Sequence, residues 1–533
     1  PKKEFRRKLL PPRNTFLIPP PAKIRMRLKP VNTSFCLNEP IMKKLISFLF
    51  LAAAYLPLEV KAQKVADSLF IRRIYDEALS NGHAYKRLEE LCKGYGSRLS
   101  GSDQAERAVF WAGNMLRSYG FDSVMLQPCL VPCWERGSTE VLEIASPMLQ
   151  KRLKQFNDTA GWACETWEEQ HKNATKAKAF RLPACALGGS VGTNGVISGP
   201  LCVVRNKQEL EILGKAGKLK DKIVLFNEAF DETKISTFSA YGGCVYQRVD
   251  GASIAAKYGA RAALVRSMSN ACDLHPHTGV MHYADSLPKI PAMAVATSVA
   301  NTLAAVAEDP KLVLTMNMDC KTFPDRWSHN VIAEERGAEL PHRYIAFGGH
   351  FDSWDQGEGA HDDGAGCMHA FEALRLLKSL GYAPRHTLRC VFWMNEENGA
   401  RGAAAYAAGA EKDGEFHVAA LESDRGGFTP RGFSLDADET QMAQVKNWAP
   451  LLAPYGIHLF EKGGAGVDVA PLKHGPNSIN KNMLQLGLIP DSQRYFDHHH
   501  AETDVFESVN RRELHLGAAS LAAMIYLLDQ NLD

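Results

Sequence analysis

The 533-residue sequence lacks a strong excess of charge of either sign, and it is poor in cysteine. Its 62 Lys and Arg residues nearly balance 60 Asp and Glu residues, and 12 cysteines are too few for a small disulfide-stapled scaffold. With 45% hydrophobic and 23% charged residues, the chain also lacks the bias of disordered or collagen-like sequences. These absences leave a globular protein of enzyme size.

The near-neutral charge averages two unlike regions. Residues 1–62 hold 13 basic and 3 acidic residues, so 49 basic and 57 acidic residues remain in residues 63–533. The main part of the chain is therefore acidic, which argues against nucleic acid as a partner.

The first 62 residues have the composition of a targeting segment. Met42 opens a stretch with two lysines, a 14-residue apolar run and a small-residue site ending at Ala62, which are the parts of a secretory signal peptide. The run is shorter than the roughly 20 residues that cross a bilayer. We therefore expect residues 42–62 to be removed and the mature protein to be exported, periplasmic or extracellular, without a membrane anchor. We expect the basic residues 1–41 to be upstream sequence translated from a misplaced start.

Eleven cysteines follow the expected cleavage site, and this odd number predicts at least one free thiol in a monomer. Cys129 and Cys133 have no matching Cys or His pair nearby. A disulfide or two buried apolar side chains is therefore favoured there over a zinc knuckle.

The pattern along the main part of the chain predicts one domain interrupted by another. Residues 63–186 begin with helical patterns, 187–322 contain short apolar strands separated by turns, and 323–533 alternate apolar strands with helices. That alternation is typical of an α/β fold with a mostly parallel mixed sheet flanked by helices. We expect 63–186 and 323–533 to form this domain, with 187–322 as a smaller β-rich insertion. Residues 148–181, rich in Trp, Lys and Glu, are expected to form a surface insertion near the domain junction.

Carboxylates and an imidazole follow three predicted strands. His350 and Asp352 come just after one strand, Glu396 and Glu397 follow the next, and Asp424 follows the third. The carboxyl ends of parallel strands meet at one edge of a sheet, where α/β folds place their sites. We therefore expect these side chains to converge.

Two loops add further candidate ligands. Asp362 and Asp363 lie in a glycine-rich turn before a helix, and the run 498–500 consists of three histidines. Carboxylates gathered at one sheet edge repel each other, so a buried cluster of them requires bound cations. Imidazole together with carboxylate suits zinc, and two ions that share a carboxylate form a known hydrolytic arrangement.

In their order along the chain, these motifs resemble those of the co-catalytic di-zinc aminopeptidase family, and most closely its carboxypeptidase Q-like branch. The segments that carry the resemblance are 348–355, 362–366, 396–397, 422–424 and His500 with Asp504. The resemblance covers most of residues 63–533 and implies the zinc exopeptidase fold. The insertion resembles a protease-associated domain over 217–226, 259–266 and 290–297.

The resemblance implies a ligand set for two Zn²⁺ ions. His350 and Asp424 would hold one ion, Glu397 and His500 would hold the other, and Asp362 would bridge them. His500 is favoured over the alternate His499 by its four-residue step to Asp504, and Asp362 is favoured over the alternate Asp363 as the first acid of the Asp-Asp-Gly turn.

The resemblance also implies roles for side chains beside the ions. Glu396 would be the general base, and Asp352 would accept a hydrogen bond from the free ring nitrogen of His350. His361 would support the site or face the substrate. Ala501 stands where relatives often have Ser, so a hydrogen bond to the substrate could be lost there.

The predicted function is that of an exported di-zinc exopeptidase acting on dipeptides or short peptides. The alternatives are a non-catalytic peptide-binding module and a single-zinc, glutaminyl-cyclase-like enzyme, and the complete ligand set argues against both. The choice between amino-terminal and carboxy-terminal specificity stays open. Arg425, Arg494 and Lys473 are candidate donors to a substrate carboxylate, and a homodimer is possible on this fold.

Overall fold

Residues 63–155, 171 and 178–533 are described by the structure, which is a computed structural model. The predicted upstream extension and signal peptide, residues 1–62, lie outside the described residues. So does the larger part of the predicted surface insertion over 148–181. Among the described helices, none is both long enough and apolar enough to cross a membrane.

The described chain alternates strands and helices through most of its length. The strands are β1 Ser123–Glu135, β2 Glu140–Ala145, β3 Phe180–Arg181, β4 Ala184–Ala186, β5 Ile197–Gly199, β6 Leu201–Val204, β7 Ile223–Phe226, β8 Ala262–Arg266, β9 Ala292–Val295, β10 Val313–Met318, β11 Lys321–Glu335, β12 Leu340–His350, β13 His386–Trp393, β14 Phe416–Glu422, β15 Pro430–Asp436, β16 Leu459–Lys462 and β17 Leu484–Pro490. The helices are α1 63–81, α2 Ala84–Tyr95, α3 Asp103–Ser118, α4 Pro147–Gln155, α5 Lys207–Lys215, α6 Thr237–Cys244, α7 Tyr246–Val249, α8 Gly251–Lys257, α9 Thr297–Ala305, α10 Ala365–Ser379, α11 Arg401–Asp413, α12 Glu439–Leu452, α13 Ala470–His474, α14 Tyr495–His498 and α15 Arg511–Asn531.

Side-chain caps mark the starts of several helices. The Ser102 hydroxyl accepts a hydrogen bond from the Ala105 amide at 3.1 Å, and Asn510 caps α15 in the same way. Asp438 and Gln441 form a reciprocal capping box at the start of α12. These side chains satisfy amides that have no partner within the helix.

An eight-stranded mixed sheet forms the centre of the main domain, in the order β1-β11-β13-β12-β14-β17-β15-β16. Its four middle strands, β13, β12, β14 and β17, run parallel. Their central residues are apolar and buried, as Phe347, Val391, Leu421 and Leu486 show, which is expected for strands covered on both faces. Helices α10 and α15 pack on the sheet through side chains such as Phe371, Leu374 and Ile525, which have no exposed surface.

Two smaller sheets hold most of the predicted insertion. One is five-stranded and mostly parallel, in the order β4-β9-β8-β7-β6, and the other is four-stranded, in the order β3-β2-β10-β5. The strands β2, β3 and β4 precede residue 187, so the smaller sheets draw on both sides of that predicted boundary. The chain leaves the central sheet for this region between β1 and β2, and it returns between β10 and β11. The domain boundaries and the protease-associated resemblance stay predictions.

Most of the described cysteines are buried free thiols. Cys129 and Cys133 are both free and buried, so they are two buried apolar side chains and do not form the alternative disulfide. Cys272 is disulfide-bonded.

Candidate metal centre

Three neighbouring parallel strands deliver the candidate ligands to one edge of the central sheet. β12 ends at His350, opposite Trp393 at the end of β13, and β14 ends at Glu422 two residues before Asp424. The predicted convergence of the strand ends is therefore observed.

The Asp362 carboxylate lies between two histidines and faces one with each oxygen. Its Oδ1 is 3.1 Å from His350 Nε2, and its Oδ2 is 3.3 Å from His500 Nε2. His350 Nε2 is also 3.4 Å from Asp424 Oδ1, and His500 Nε2 is 3.0 Å from Glu397 Oε2. The five predicted metal ligands thus form two imidazole-carboxylate groups that share one carboxylate.

The chemistry of these groups fits bound cations. Asp362 Oδ2, Glu397 Oε1 and Asp424 Oδ1 are buried, and none accepts a hydrogen bond within the described part of the chain. Burial raises the pKa values of Glu397 and Asp424 above their ordinary values. Divalent cations would supply both the missing partners and the missing positive charge.

Two further aspartates hold the backbone around Asp362. Asp504 accepts hydrogen bonds from the amides of His361 at 2.7 Å and Asp362 at 3.1 Å. Asp363 is turned away from the imidazoles, since it accepts from the amides of His350 at 3.1 Å and Gly366 at 2.9 Å. The geometry therefore favours Asp362 over Asp363 as the shared ligand.

The predicted hydrogen bond from His350 to the Asp352 carboxylate is wrong in its acceptor atom. His350 Nδ1 lies 2.9 Å from the main-chain oxygen of Asp352 and 3.9 Å from its carboxylate. The carboxylate instead accepts from the amides of Asn395 at 2.6 Å and Glu396 at 3.0 Å. Asp352 orients His350 through its backbone and anchors the loop after β13 through its side chain.

Glu396 lines a cavity of about 220 Å³ beside the two ligand groups. Burial, with the charges of Asp424 and Glu397, raises the pKa of Glu396 well above its ordinary value. The lining residues are Phe238, Tyr241, Arg248, Val280, Asp362, Glu396, Glu397, Asp424, Tyr495, Phe496, His499 and His500. A carboxylate and two ligand groups therefore face one small, partly aromatic chamber.

The neighbouring histidines take different positions. His499 stacks on His500 with ring centres 3.6 Å apart, and its Nε2 is 3.8 Å from Asp362 Oδ2. His361 stacks on Phe428 and accepts a hydrogen bond from the Gly427 amide at 3.1 Å. Burial lowers the pKa of His361 to about 3, so it is a neutral supporting side chain.

Of the three side chains predicted to donate hydrogen bonds to a substrate carboxylate, two are paired with acidic residues of the protein. Arg494 lies 3.2 Å from Glu513, and Lys473 lies 3.0 Å from Asp436. Arg425 donates to Ser434 at 3.3 Å, and its guanidinium lies over the Phe238 ring.

Sequence reasoning missed two arginines beside the site. Arg248, from the insertion, lies 3.2 Å from His500 Nδ1, across 252 residues of chain. Arg98 is fully buried and donates to the carbonyl oxygens of Phe351, Glu358 and Gly359, which shapes the loop after β12. An isolated arginine carries no motif, so neither contact had a sequence signal.

The family model described as peptidase family M28 matches residues 330–520, the segment that holds every candidate ligand. Carboxypeptidase Q of Homo sapiens is 32% identical over 466 residues, which are 87% of this chain and 88% of that protein. The chain belongs to peptidase family M28. Membership in the M28 family confirms the predicted enzyme class, a metallopeptidase. Carboxypeptidase Q of Bos taurus is similar to the chain at 31% identity over the same length.

Solved structures of M28 peptidases share the fold. A peptidase M28 precursor from Shewanella amazonensis SB2B is 28% identical, with a TM-score of 0.76 over 87% of this chain and 97% of that one. The zinc aminopeptidase BSAP from Bacillus subtilis has a TM-score of 0.56 at 18% identity, over 85% of this chain and 96% of that one. The predicted α/β fold is therefore confirmed.

Proposed function

We propose that this M28 peptidase is an exported di-zinc exopeptidase that hydrolyses dipeptides or short peptides. The observation that carries the proposal is the Asp362 carboxylate, which is shared between two imidazole-carboxylate groups beside a cavity of about 220 Å³. The similarity to carboxypeptidase Q and to a solved zinc aminopeptidase supports the same activity and metal.

In this proposal His350 and Asp424 hold one zinc ion, Glu397 and His500 hold the other, and Asp362 bridges the two. Zinc bound here would lower the pKa of a water molecule and polarise the peptide carbonyl. The proton transfers are assigned to side chains of the protein.

Glu396 is the proposed general base. Its carboxylate accepts a proton as water attacks the peptide carbonyl and then donates that proton to the leaving amine. The Asp352 carboxylate holds the Glu396 amide at 3.0 Å and so keeps the base at the cavity wall. The size of the cavity, about 220 Å³, suits a short peptide rather than a long chain.

The experiment is hydrolysis of one dipeptide in free, N-acetylated and C-amidated forms by the purified, zinc-loaded protein, followed by mass spectrometry. An exopeptidase is expected to cleave the free dipeptide and to fail on the N-acetylated form, the C-amidated form or both. If folded, zinc-loaded protein cleaves none of the forms, the proposal is wrong, and the binding-module and cyclase alternatives gain weight.

Export and a possible homodimer stay predictions from the sequence. Mass spectrometry that identifies the amino-terminal residue of the protein made in an expressing cell tests export. Light scattering of the purified protein tests the homodimer.

A further inference from the structure

Arg248 is a buried cation at the wall of the cavity. Its side chain is only 4% exposed. The Nη2 atom donates to the Tyr241 hydroxyl at 2.6 Å, and Nη1 lies 3.2 Å from His500 Nδ1. Across the described residues, Nε has no hydrogen-bond partner and the guanidinium forms no ion pair with a carboxylate. A buried charge without a counter-charge is costly, so this side chain is suited to an anion that arrives from outside.

The backbone is shaped around this contact. A Cβ atom at Gly279 would lie 2.5 Å from Arg248 Nη1 and 2.6 Å from His500 Nδ1. A larger residue at position 279 would therefore displace the guanidinium or the His500 ring, at the place where the insertion meets the candidate metal centre.

The charges that line the cavity are otherwise acidic. Arg248 is the single Lys or Arg among its described lining residues, opposite Asp362, Glu396, Glu397 and Asp424. The proposed function engages each of those four acids, as a metal ligand or as the base. It assigns no task to Arg248.

Metal binding would also free the donors of Arg248. A histidine that binds a metal through Nε2 carries its proton on Nδ1. The Thr278 carbonyl, 3.3 Å from His500 Nδ1, is the acceptor for that proton. Nδ1 then accepts nothing from Arg248, so Nη1 and Nε both require an acceptor. A carboxylate offers two oxygens that match the planar guanidinium.

The distance to the metal centre sets the length of the substrate. The His500 ring lies between Arg248 and the candidate metal ligands. Arg248 Nη1 is 3.2 Å from Nδ1 on one side of the ring, and the carboxylates of Asp362 and Glu397 lie within 3.3 Å of Nε2 on the other. In a dipeptide, only the amide nitrogen and the α-carbon separate the scissile carbonyl carbon from the terminal carboxylate. We propose, building on the proposed function, that Arg248 binds the free α-carboxylate of a dipeptide and thereby excludes longer peptides.

The test compares Ala-Leu, its C-terminal amide and Ala-Leu-Ala as substrates of the zinc-loaded wild type and of Arg248→Met. The wild type is expected to prefer the free dipeptide by at least about 100-fold in kcat/KM, since a site built for a charged hydrogen bond rejects a substrate without it. Arg248→Met should lose about that factor on Ala-Leu and change little on the amide. Calorimetry gives a readout without turnover: leucine, and not leucinamide, should bind the wild type and lose its affinity in the variant.

Two further variants serve as controls. Arg494→Met removes an arginine that is already paired with Glu513, and it should keep the wild-type preference. Arg248→Lys keeps the charge without the planar fork and should retain part of the preference. If Arg248→Met does not fold, the lysine variant and the wild-type binding data decide the question.

The outcomes separate the two proposals. Equal cleavage of the acid and the amide by the wild type would overturn the role of Arg248 and leave the exopeptidase assignment intact. An equal loss on both substrates in Arg248→Met would mean that Arg248 acts through His500 or the fold. Cleavage of no substrate by the folded, zinc-loaded wild type would count against the proposed function itself.

Discussion

Glu396 lies where a loop from β13 reaches the cavity, beside the candidate ligands Asp424 and Glu397. Those charges and burial favour its protonated form, so its pKa is raised well above the ordinary value. A bound dication would oppose that effect and favour the ionised carboxylate that a general base requires. The proposed base and the candidate metal ligands are thus electrostatically linked.

Glu396→Gln is expected to lower kcat by about 10²- to 10⁴-fold, because the amide cannot accept the proton of the attacking water. Zinc content should stay at the wild-type level, since the metal ligands are unchanged. Steady-state kinetics measures kcat, and inductively coupled plasma mass spectrometry measures the zinc content. Glu439→Gln alters an exposed glutamate on α12 and should change neither. Activity that survives Glu396→Gln would remove Glu396 from the mechanism.

His500 and His499 provide a matched pair for the metal ligands. His500 Nε2 lies within 3.3 Å of two carboxylates, whereas His499 Nε2 is 3.8 Å from one. His500→Ala is expected to lose at least one zinc ion per chain, while His499→Ala should retain both. Zinc-to-protein ratios after dialysis against trace zinc give the answer. The opposite pattern would shift the ligand to His499, the alternate that the sequence left open.

At the scale of elements, Asp529 connects the last helix to the central sheet. From the end of α15 it accepts hydrogen bonds from the amides of Arg385 and His386, both at 2.8 Å, and from His386 Nδ1 and the Tyr382 hydroxyl. Burial would raise the pKa of Asp529, but the hydrogen bonds from His386 and Tyr382 overcome it and hold the pKa below its ordinary value. The carboxylate thereby fixes α15 at the start of β13.

Asp529→Asn is expected to lower the free energy of unfolding by about 2 to 4 kcal/mol at pH 7, because one amide oxygen cannot replace two charged acceptors. A lowered folded-state pKa stabilises the fold above the unfolded-state pKa of about 3.9, and this contribution is lost as the pH falls. The difference between wild type and variant should therefore shrink below about pH 4. Urea unfolding at several pH values tests it, with Asp533→Asn, 97% exposed, as the neutral control. A difference that does not change with pH would contradict the assignment.

At the scale of the whole molecule, Arg136 joins the insertion to the peptidase core, because it pairs with Asp355 of the core and contacts Thr278 of the insertion. Arg136 contacts Asp355 through Nε at 2.9 Å and Nη2 at 2.5 Å. It also donates to the Ala186 carbonyl and the Thr278 hydroxyl. Thr278 lies next to His500, so this pair supports the relative position of the insertion and the metal centre.

Arg136→Met is expected to cost about 1 to 3 kcal/mol, because it leaves the part-buried Asp355 carboxylate without its partner. The double variant Arg136→Met with Asp355→Leu should lose less than the sum of the single variants. Denaturant unfolding of the complete set measures this coupling. Arg72→Met, at a pair with 67% and 58% exposed side chains, should change stability by less than about 0.5 kcal/mol. Strict additivity would show that the pair does not act as a unit.

Much of the peptidase core was predictable. The sequence predicts a strand before the His350 motif and a helix after Asp363, and the structure has them as β12 and α10. These features depend on neighbours in sequence, which periodicity and turn residues report directly. The fold class followed from their alternation.

The missed features depend on residues far apart in the chain. The Asp352 carboxylate turned to the loop after β13 rather than to His350, because two amides there lacked other acceptors. Strands β2 and β3 joined the smaller sheets from before the predicted boundary. No local pattern distinguishes these pairings from others of similar composition.

By itself, the sequence determined the α/β class and the candidate side chains of the metal centre, because these are encoded in apolar periodicity and in short polar motifs after strands and in loops. The tertiary structure alone decided that each oxygen of Asp362 faces a different histidine, and that Arg248 of the insertion reaches His500. The physical reason is distance along the chain: local patterns set local structure, whereas the packing of the whole chain sets which buried charges meet.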